Sequence, residues 1–280
     1  MKGSIPGLIA GIAVAGIARA AGAADLPVPD LFTPSPVTSA DWSGFYLGGQ
    51  VAYTHANLKF DNGASDVMNN LLASGLPGSP GLAAAIATPF KAATAAGAFG
   101  AYIGYNTQWE SVILGVEGNY NRTSINPFAS QTVQLALPNL GTATASSAAH
   151  LTDYATIRAR AGYIMGRFLP YAMFGLAIGR ANFADSARLQ FVPVINGIPQ
   201  PFVDVTATAT QSSTIGYGYM AGVGVDVLLM SGLFLRAEYE FIQFTSFGQF
   251  ENIAGIPNVV EFPAHGVTLN SLRLALGYKF

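Results

Sequence analysis

The sequence has no cysteine, and charged residues make up only 10% of its 280 positions. The first absence excludes disulfides, thiolate nucleophiles and cysteine metal sites, and suits a chain exported through an oxidising periplasm. The second is a depletion by more than half against the roughly 25% of an ordinary soluble domain. Long apolar runs are missing too. Beyond residue 24 no stretch reaches the ~20 continuous apolar residues of a membrane helix. The longest candidate, Leu169 to Gly179, is short and is interrupted by Pro170 and two glycines. No basic patch is present, which excludes the electrostatic footprint of a nucleic-acid partner. A mean hydropathy of +0.38 without any apolar span points to apolar and polar residues in alternation, the pattern of a transmembrane β-barrel.

The chain opens with Lys2, an apolar run from Ile5 to Ala18, and the small residues Ala20, Ala21, Gly22, Ala23 and Ala24. This is the pattern of a secretory signal peptide over residues 1–24, cut after Ala23 or Ala24. Its removal takes Lys2 and Arg19 away and moves the formal net charge from −2 to −4. Residues 25–41, punctuated by Pro27, Pro29, Pro34 and Pro36, read as an extended periplasmic lead-in without a core of its own. Residues 42–280 are left for the barrel.

Eight segments alternate with period two: 44–54, 97–108, 111–121, 154–163, 170–181, 217–227, 234–243 and 270–280. Each has roughly the 9–11 residues with which a tilted strand crosses a bilayer. In the seventh, for example, Leu235, Ala237, Tyr239 and Phe241 alternate with Arg236, Glu238 and Glu240. Three connections are short (around Trp109 and Glu110, Met165 to Phe168, and Leu229 to Gly232). The other four, 55–96, 122–153, 182–216 and 245–269, are long. Short and long connections in strict alternation predict an all-β fold: an eight-stranded antiparallel transmembrane barrel, turns periplasmic and loops extracellular.

Placing the apolar face toward lipid puts Glu117, Arg158, Arg160, Asp226, Arg236, Glu238, Glu240, Arg273 and Lys279 in the lumen, five positive and four negative groups. An inward Lys or Arg avoids the ~2–4 kcal/mol cost of facing lipid at mid-bilayer. Arg122, Asp153 and Arg180 have outward parity but fall at the outer rim. Eight strands leave an interior that side chains just fill, so the nine charges predict a structural plug; the alternative is the selectivity filter of a narrow pore. Inward glycines at 104, 162, 175, 179, 222, 224 and 277 are expected to make room for the long Arg and Glu side chains. Two aromatic girdles are expected at the interfaces. Trp42, Phe45, Trp109, Phe168, Tyr278 and Phe280 fall at the periplasmic side. Tyr53, Phe99, Tyr120, Tyr154, Phe183, Tyr219 and Phe241 fall at the outer side.

Individual function is expected in the loops. Asn196-Gly197 between Leu189–Ile195 and Val203–Thr210 is a hairpin signal that would carry the flanking strands into the medium. Val133 to Leu137 is a second such extension, and the stretch 82–96 is suited to short helical turns. Three histidines, His55, His150 and His265, fall at or beyond outer strand ends, either as unrelated rim residues or as a convergent metal or haem site. Gly216-Tyr-Gly-Tyr-Met-Ala221 lacks the βαβ unit of a dinucleotide fingerprint. Asp61-Asn62-Gly63 with Asp66 lacks the loop length and closing Glu of a calcium site. No nucleophile–base pair is evident, so no catalytic residue and no cofactor are expected.

The opening strand Trp42-Ser-Gly-Phe-Tyr-Leu-Gly-Gly-Gln, the preceding Ala24-Asp25-Leu26-Pro27, the stretch Leu235-Arg-Ala-Glu-Tyr-Glu-Phe and the final Leu272-Arg-Leu-Ala-Leu-Gly-Tyr-Lys-Phe280 carry a resemblance. Together and in this order they resemble the alphaproteobacterial surface-antigen barrels, an opacity-type, porin-like outer-membrane family. The resemblance covers both ends and the strands between, but not the loops, which are longer and richer in Ala and Pro. It implies a structural component and surface antigen of the cell envelope, with porin or haem-binding roles among relatives. It also implies outer-membrane lipid and lipopolysaccharide as surroundings, and an assembly machinery that reads Phe280 during insertion. An extracellular ligand or adhesion target, if there is one, would be met at the loops.

Overall fold

The computed structural model describes residues 41–60, 67–68, 90–135, 140–247, 250–252, 259–261 and 266–280. The segments 1–24 and 25–40, assigned to the signal peptide and most of the lead-in, lie outside the described residues, as does His265. Among the described residues no helix is long and apolar enough to cross a membrane.

Among the described residues thirteen strands follow in order. They are β1 (Gly44–Phe60), β2 (Phe90–Trp109), β3 (Val112–Ile125), β4 (Phe128–Gln134), β5 (Leu140–Tyr163), β6 (Phe168–Val192), β7 (Val194–Ile195), β8 (Ile198–Pro199), β9 (Val203–Met230), β10 (Leu233–Phe247), β11 (Phe250–Asn252), β12 (Val259–Glu261) and β13 (Gly266–Lys279). Eight of them, β1, β2, β3, β5, β6, β9, β10 and β13, close a ring. Each pairs antiparallel with its neighbours; β13 returns to β1, and β3 pairs with β5. Closure leaves no transmembrane edge, the condition for a sheet to live in lipid.

The eight sequence segments are the membrane cores of these strands, and the period-two pattern is the reason. Phe45, Leu47, Val51 and Tyr53 of β1 lie exposed on the outer wall, as do Phe174, Leu176 and Ile178 of β6 and Leu272, Leu274 and Leu276 of β13. Their sequence neighbours turn inward and are buried or half-buried. At the periplasmic end, the short turns bend through positive φ at Glu110, Gly166 and Gly232.

The strands run far past the membrane at the other end, and here the loop boundaries require correction. β5, β6 and β9 have 24, 25 and 28 residues, more than twice the roughly 9–11 a bilayer demands. Most of 140–153, 182–192 and 203–216 is therefore strand, and residues 90–96 belong to β2 instead of forming helical turns. The upper parts of β5, β6 and β9, with β4 alongside β5, form a four-stranded sheet beyond the ring. Asn196 and Gly197, with φ of 52° and 79°, close the small β7–β8 hairpin at its tip. The β-prone sequence is continuous across the membrane boundary; only its exposed face changes, from Leu, Ile and Phe to Thr and Ser.

Candidate functional site

The lumen is filled in layers. Nearest the periplasm sit aromatic rings: Trp42 against Phe234 at 5.9 Å, and Tyr46 against Phe234 at 6.0 Å and Tyr102 at 6.2 Å. Trp42 is buried under the barrel, its backbone N–H donating to Gln108 Oε1 at 2.8 Å, and so does not belong to the periplasmic girdle. Near the outer end Phe183, Phe244 and Phe247 make a second stopper, with centroids 5.2 to 5.6 Å apart. Phe183 and Tyr154, assigned above to the outer girdle, face inward and are buried. Both lie on the lumen parity of their strands, which outweighs their closeness to the strand ends. Phe45, Trp109, Phe168, Tyr278 and Phe280 stand exposed on the wall at the periplasmic end, and Tyr53, Phe99, Tyr120 and Tyr219 toward the outer end.

Between the stoppers lies the charge layer. Strand register supplies its first contacts, because Glu117 is directly opposite Arg158, Asp226 opposite Arg236, and Glu238 opposite Arg273. Side chains from β3 and β5 then meet those of β9 and β10. Arg158 donates through Nε to Glu117 at 3.0 Å, through Nη2 to Glu238 at 2.8 Å and through Nη1 to Glu240 at 3.3 Å. Arg236 donates to Glu117 at 2.7 Å and grips Asp226 with two bonds of 2.8 and 3.0 Å. Arg160 reaches Asp226 at 2.7 Å, and Arg273 is bonded to Glu240.

Tyrosines complete the layer. The Tyr46 hydroxyl donates to Glu117 at 2.8 Å, the Tyr171 hydroxyl donates to Glu238 at 2.5 Å, and the Tyr154 hydroxyl accepts from Arg273 at 3.1 Å. Sequence reasoning did not assign these three to the network, although lumen parity marks each of them. The Arg160 guanidinium also stacks 3.8 Å over the Tyr171 ring and that of Arg236 4.4 Å over Tyr102.

Lys279 does not take part. It sits at the periplasmic rim, 3.4 Å from Asp41 and 3.2 Å from the Ser43 carbonyl oxygen. As the last strand residue it lies below the aromatic layer, within reach of water. Removing it from the tally leaves four arginines facing four carboxylates. All eight side chains are 0–1% exposed. Such a desolvated set holds only when each charge is paired and hydrogen-bonded.

The inward glycines mostly admit rings, not Arg or Glu chains. A Cβ at Gly104 would fall 2.3 Å from the Tyr46 ring, and one at Gly277 2.3 Å from the Phe234 ring. A Cβ at Gly224 would lie 2.6 Å from Tyr171, with Glu238 next nearest at 2.9 Å.

The two described histidines are not gathered. His55 is exposed on the outer wall of β1, near Asn57, and His150 stands on β5 opposite Asn182, with β2 and β3 between them in the ring. Among the described residues no group of three or more His, Cys, Asp or Glu is arranged to hold a metal ion.

The extracellular sheet is the second feature. Its inner face packs Ala143, Ala145, Ala187, Leu189, Phe191, Ala207 and Ala209 against Leu135, Val67 and Met68, a satellite core separate from that of the ring. Its other face is polar, with cross-strand rows Thr132–Thr144–Arg188–Thr206 and Ser130–Ser146–Ser186–Thr208. One bidentate pair joins Arg188 to Asp204 at 2.5 and 2.9 Å, and Gln190 donates to the same carboxylate at 3.1 Å. Hydrogen bonding from Arg188 holds the Asp204 carboxyl below its ordinary pKa. A depressed pKa stabilises the fold above the unfolded value, and that contribution is lost as pH falls through the folded one. The expected result is a carbon-13 NMR midpoint for Asp204 below that of free aspartate, raised toward the ordinary value by Arg188→Gln.

A family model described as outer membrane protein beta-barrel domain matches residues 10–280. No curated protein sequence matches the chain. Solved structures similar to it include Ail, the attachment invasion locus protein of Yersinia pestis, at 12% identity and a TM-score of 0.32, covering 85% of this chain and 99% of Ail. The outer membrane protein OprG from Pseudomonas aeruginosa has 12% identity and a TM-score of 0.34, with 85% and 96% covered. The outer membrane protease OmpT from Escherichia coli has 8% identity and a TM-score of 0.38, with 85% and 97% covered.

Proposed function

Because the chain belongs to the outer membrane protein β-barrel domain family, we propose that it is a closed, non-enzymatic structural barrel that holds an extracellular sheet and loops at the cell surface as an antigen. The observation that carries this reading is the sealed charge layer. A water-filled channel through that level would leave its lining accessible, yet the eight charged side chains are 0–1% exposed. Aromatic stoppers on both sides add to the closure. An open selectivity filter would instead need its charges hydrated, and these are desolvated and paired four against four.

The finer placement among alphaproteobacterial, opacity-type surface antigens rests on the opening, penultimate and final strand motifs. The same reading takes residues 1–24 as a cleaved signal peptide and lipopolysaccharide as the outer-leaflet neighbour. It also takes Phe280 as the residue that the assembly machinery reads. Phe280 is exposed at the periplasmic rim, with its N–H bonded to the Phe45 carbonyl oxygen at 2.9 Å.

Single-channel recording of the refolded chain in a planar bilayer tests closure, with folding checked by the gel-mobility shift on heating. A silent bilayer with folded protein is the expected result. Steady openings whose ion selectivity changes in Arg158→Glu or Glu238→Lys would overturn it and make the chain a narrow porin.

A further inference from the structure

The tip of the extracellular sheet is unlike the rest of the surface. From Leu189 to Val203 the chain carries no charged residue and eleven apolar ones in fifteen positions. Leu189, Phe191 and Pro193 are buried, but Ile195, Ile198 and Phe202 stand 58%, 64% and 61% exposed. Pro199 and Pro201 are exposed beside them. The tip is also remote from the bilayer that holds the barrel. The outer rim is marked by the Arg180–Asp153 pair. From there β6 continues through Val192, a run of roughly 40 Å at about 3.3 Å per residue along the strand. Apolar side chains clustered on a projection into water mark a contact surface.

The backbone of the tip asks little of water. Val194 pairs with Pro199 and Ile195 with Ile198, and the Gln200 N–H donates to the Pro193 carbonyl oxygen at 2.7 Å. Pro193, Pro199 and Pro201 bring no N–H at all. A hairpin with these backbone bonds internal, apolar side chains outward and no charge leaves few polar groups to desolvate at a lipid surface, chiefly Asn196 at the turn and Gln200, whose amide donates to the Ile198 carbonyl oxygen at 3.2 Å. A protein groove would need matched concavity and gains nothing here from charged anchors. A fluid lipid surface needs neither.

We propose that this hairpin is a membrane-contacting device, which inserts Ile195, Ile198 and Phe202 into the surface of a second lipid bilayer facing the one that holds the barrel. The inference is independent of whether the lumen conducts. Apolar burial drives the contact, so it is insensitive to salt.

The test uses the full chain in nanodiscs, mixed with protein-free phosphatidylcholine vesicles and separated by flotation, with empty nanodiscs as the blank. Wild-type protein is expected to float with the vesicles in low and molar salt alike. Ile195→Asn/Ile198→Asn/Phe202→Ser, with heat-shifted gel mobility intact, should lower the floated fraction by about tenfold, since the lost burial of three side chains is the driving term. In a second variant, Phe202→Trp, added vesicles of brominated lipid should quench the new fluorescence while the nanodisc lipid remains unbrominated. Wild type that fails to float, a triple variant that floats equally well, or an unquenched tryptophan at 202 would each overturn the proposal. Pairing of nanodiscs with one another in place of vesicle binding would do so as well, by assigning the tip to a second copy of the chain.

Discussion

Glu117→Gln is expected to destabilise the folded barrel by about 3–5 kcal/mol, the cost of removing one partner from a buried ion pair. Glu117 accepts bonds from Arg158, Arg236 and Tyr46. The substitution keeps the side chain's shape, so packing is preserved, but four arginines then face three carboxylates and an amide N–H stands where an oxygen accepted from donors on both sides. The excess positive charge has no route to water, because the surrounding side chains are sealed. Urea unfolding in lipid vesicles, followed by gel mobility and tryptophan emission, measures the loss. Adding Arg158→Met restores three against three, and the double variant should lose less than the sum of the singles because the two sites share one network. Should Glu117→Gln unfold at the wild-type urea concentration, the layer is hydrated and the closed lumen is wrong.

Leu274→Arg is expected to cost about 2–4 kcal/mol, because the new charge faces hydrocarbon near mid-bilayer. Leu274 lies midway along the membrane part of β13, between Val51 and Ala237, and is 57% exposed. On a soluble protein a charge at so exposed a position would be neutral. Thr208→Arg provides the contrast. Thr208 is exposed on the polar face of the extracellular sheet, opposite Ser186, and its substitution should leave stability within about 0.5 kcal/mol. Equal effects at both positions would mean that the membrane boundary has been misplaced along β9 and β13.

The barrel was legible in the sequence because lipid imposes a hard rule on each strand separately. Leu235, Ala237 and Tyr239 had to face out, and Arg236, Glu238 and Glu240 had to face in, whatever the other strands did. The strand lengths were less legible. Beyond the membrane, Thr206-Ala-Thr-Ala-Thr210 still alternates and still favours strand, but no apolar outer face marks it, so the upper part of β5 read as loop and those of β6 and β9 only as a hairpin extension around Asn196-Gly197. The hairpin at Asn196-Gly197 was visible because its turn chemistry is local.

Period two and connection length were enough to set the number of crossing strands, their antiparallel order and the sidedness of nearly every residue in the membrane. Which inward charges meet depends on the closed ring. Closure brings Arg158 on β5 to Glu238 on β10 and Arg236 on β10 to Glu117 on β3, positions separated by 80 and 119 residues. It placed Trp42 and Tyr154 inside, and it left Lys279 at the rim with Asp41. Sidedness is a property of one strand against its solvent. Pairing across the lumen depends on register and height around the whole ring, and that exists only once the ring has closed.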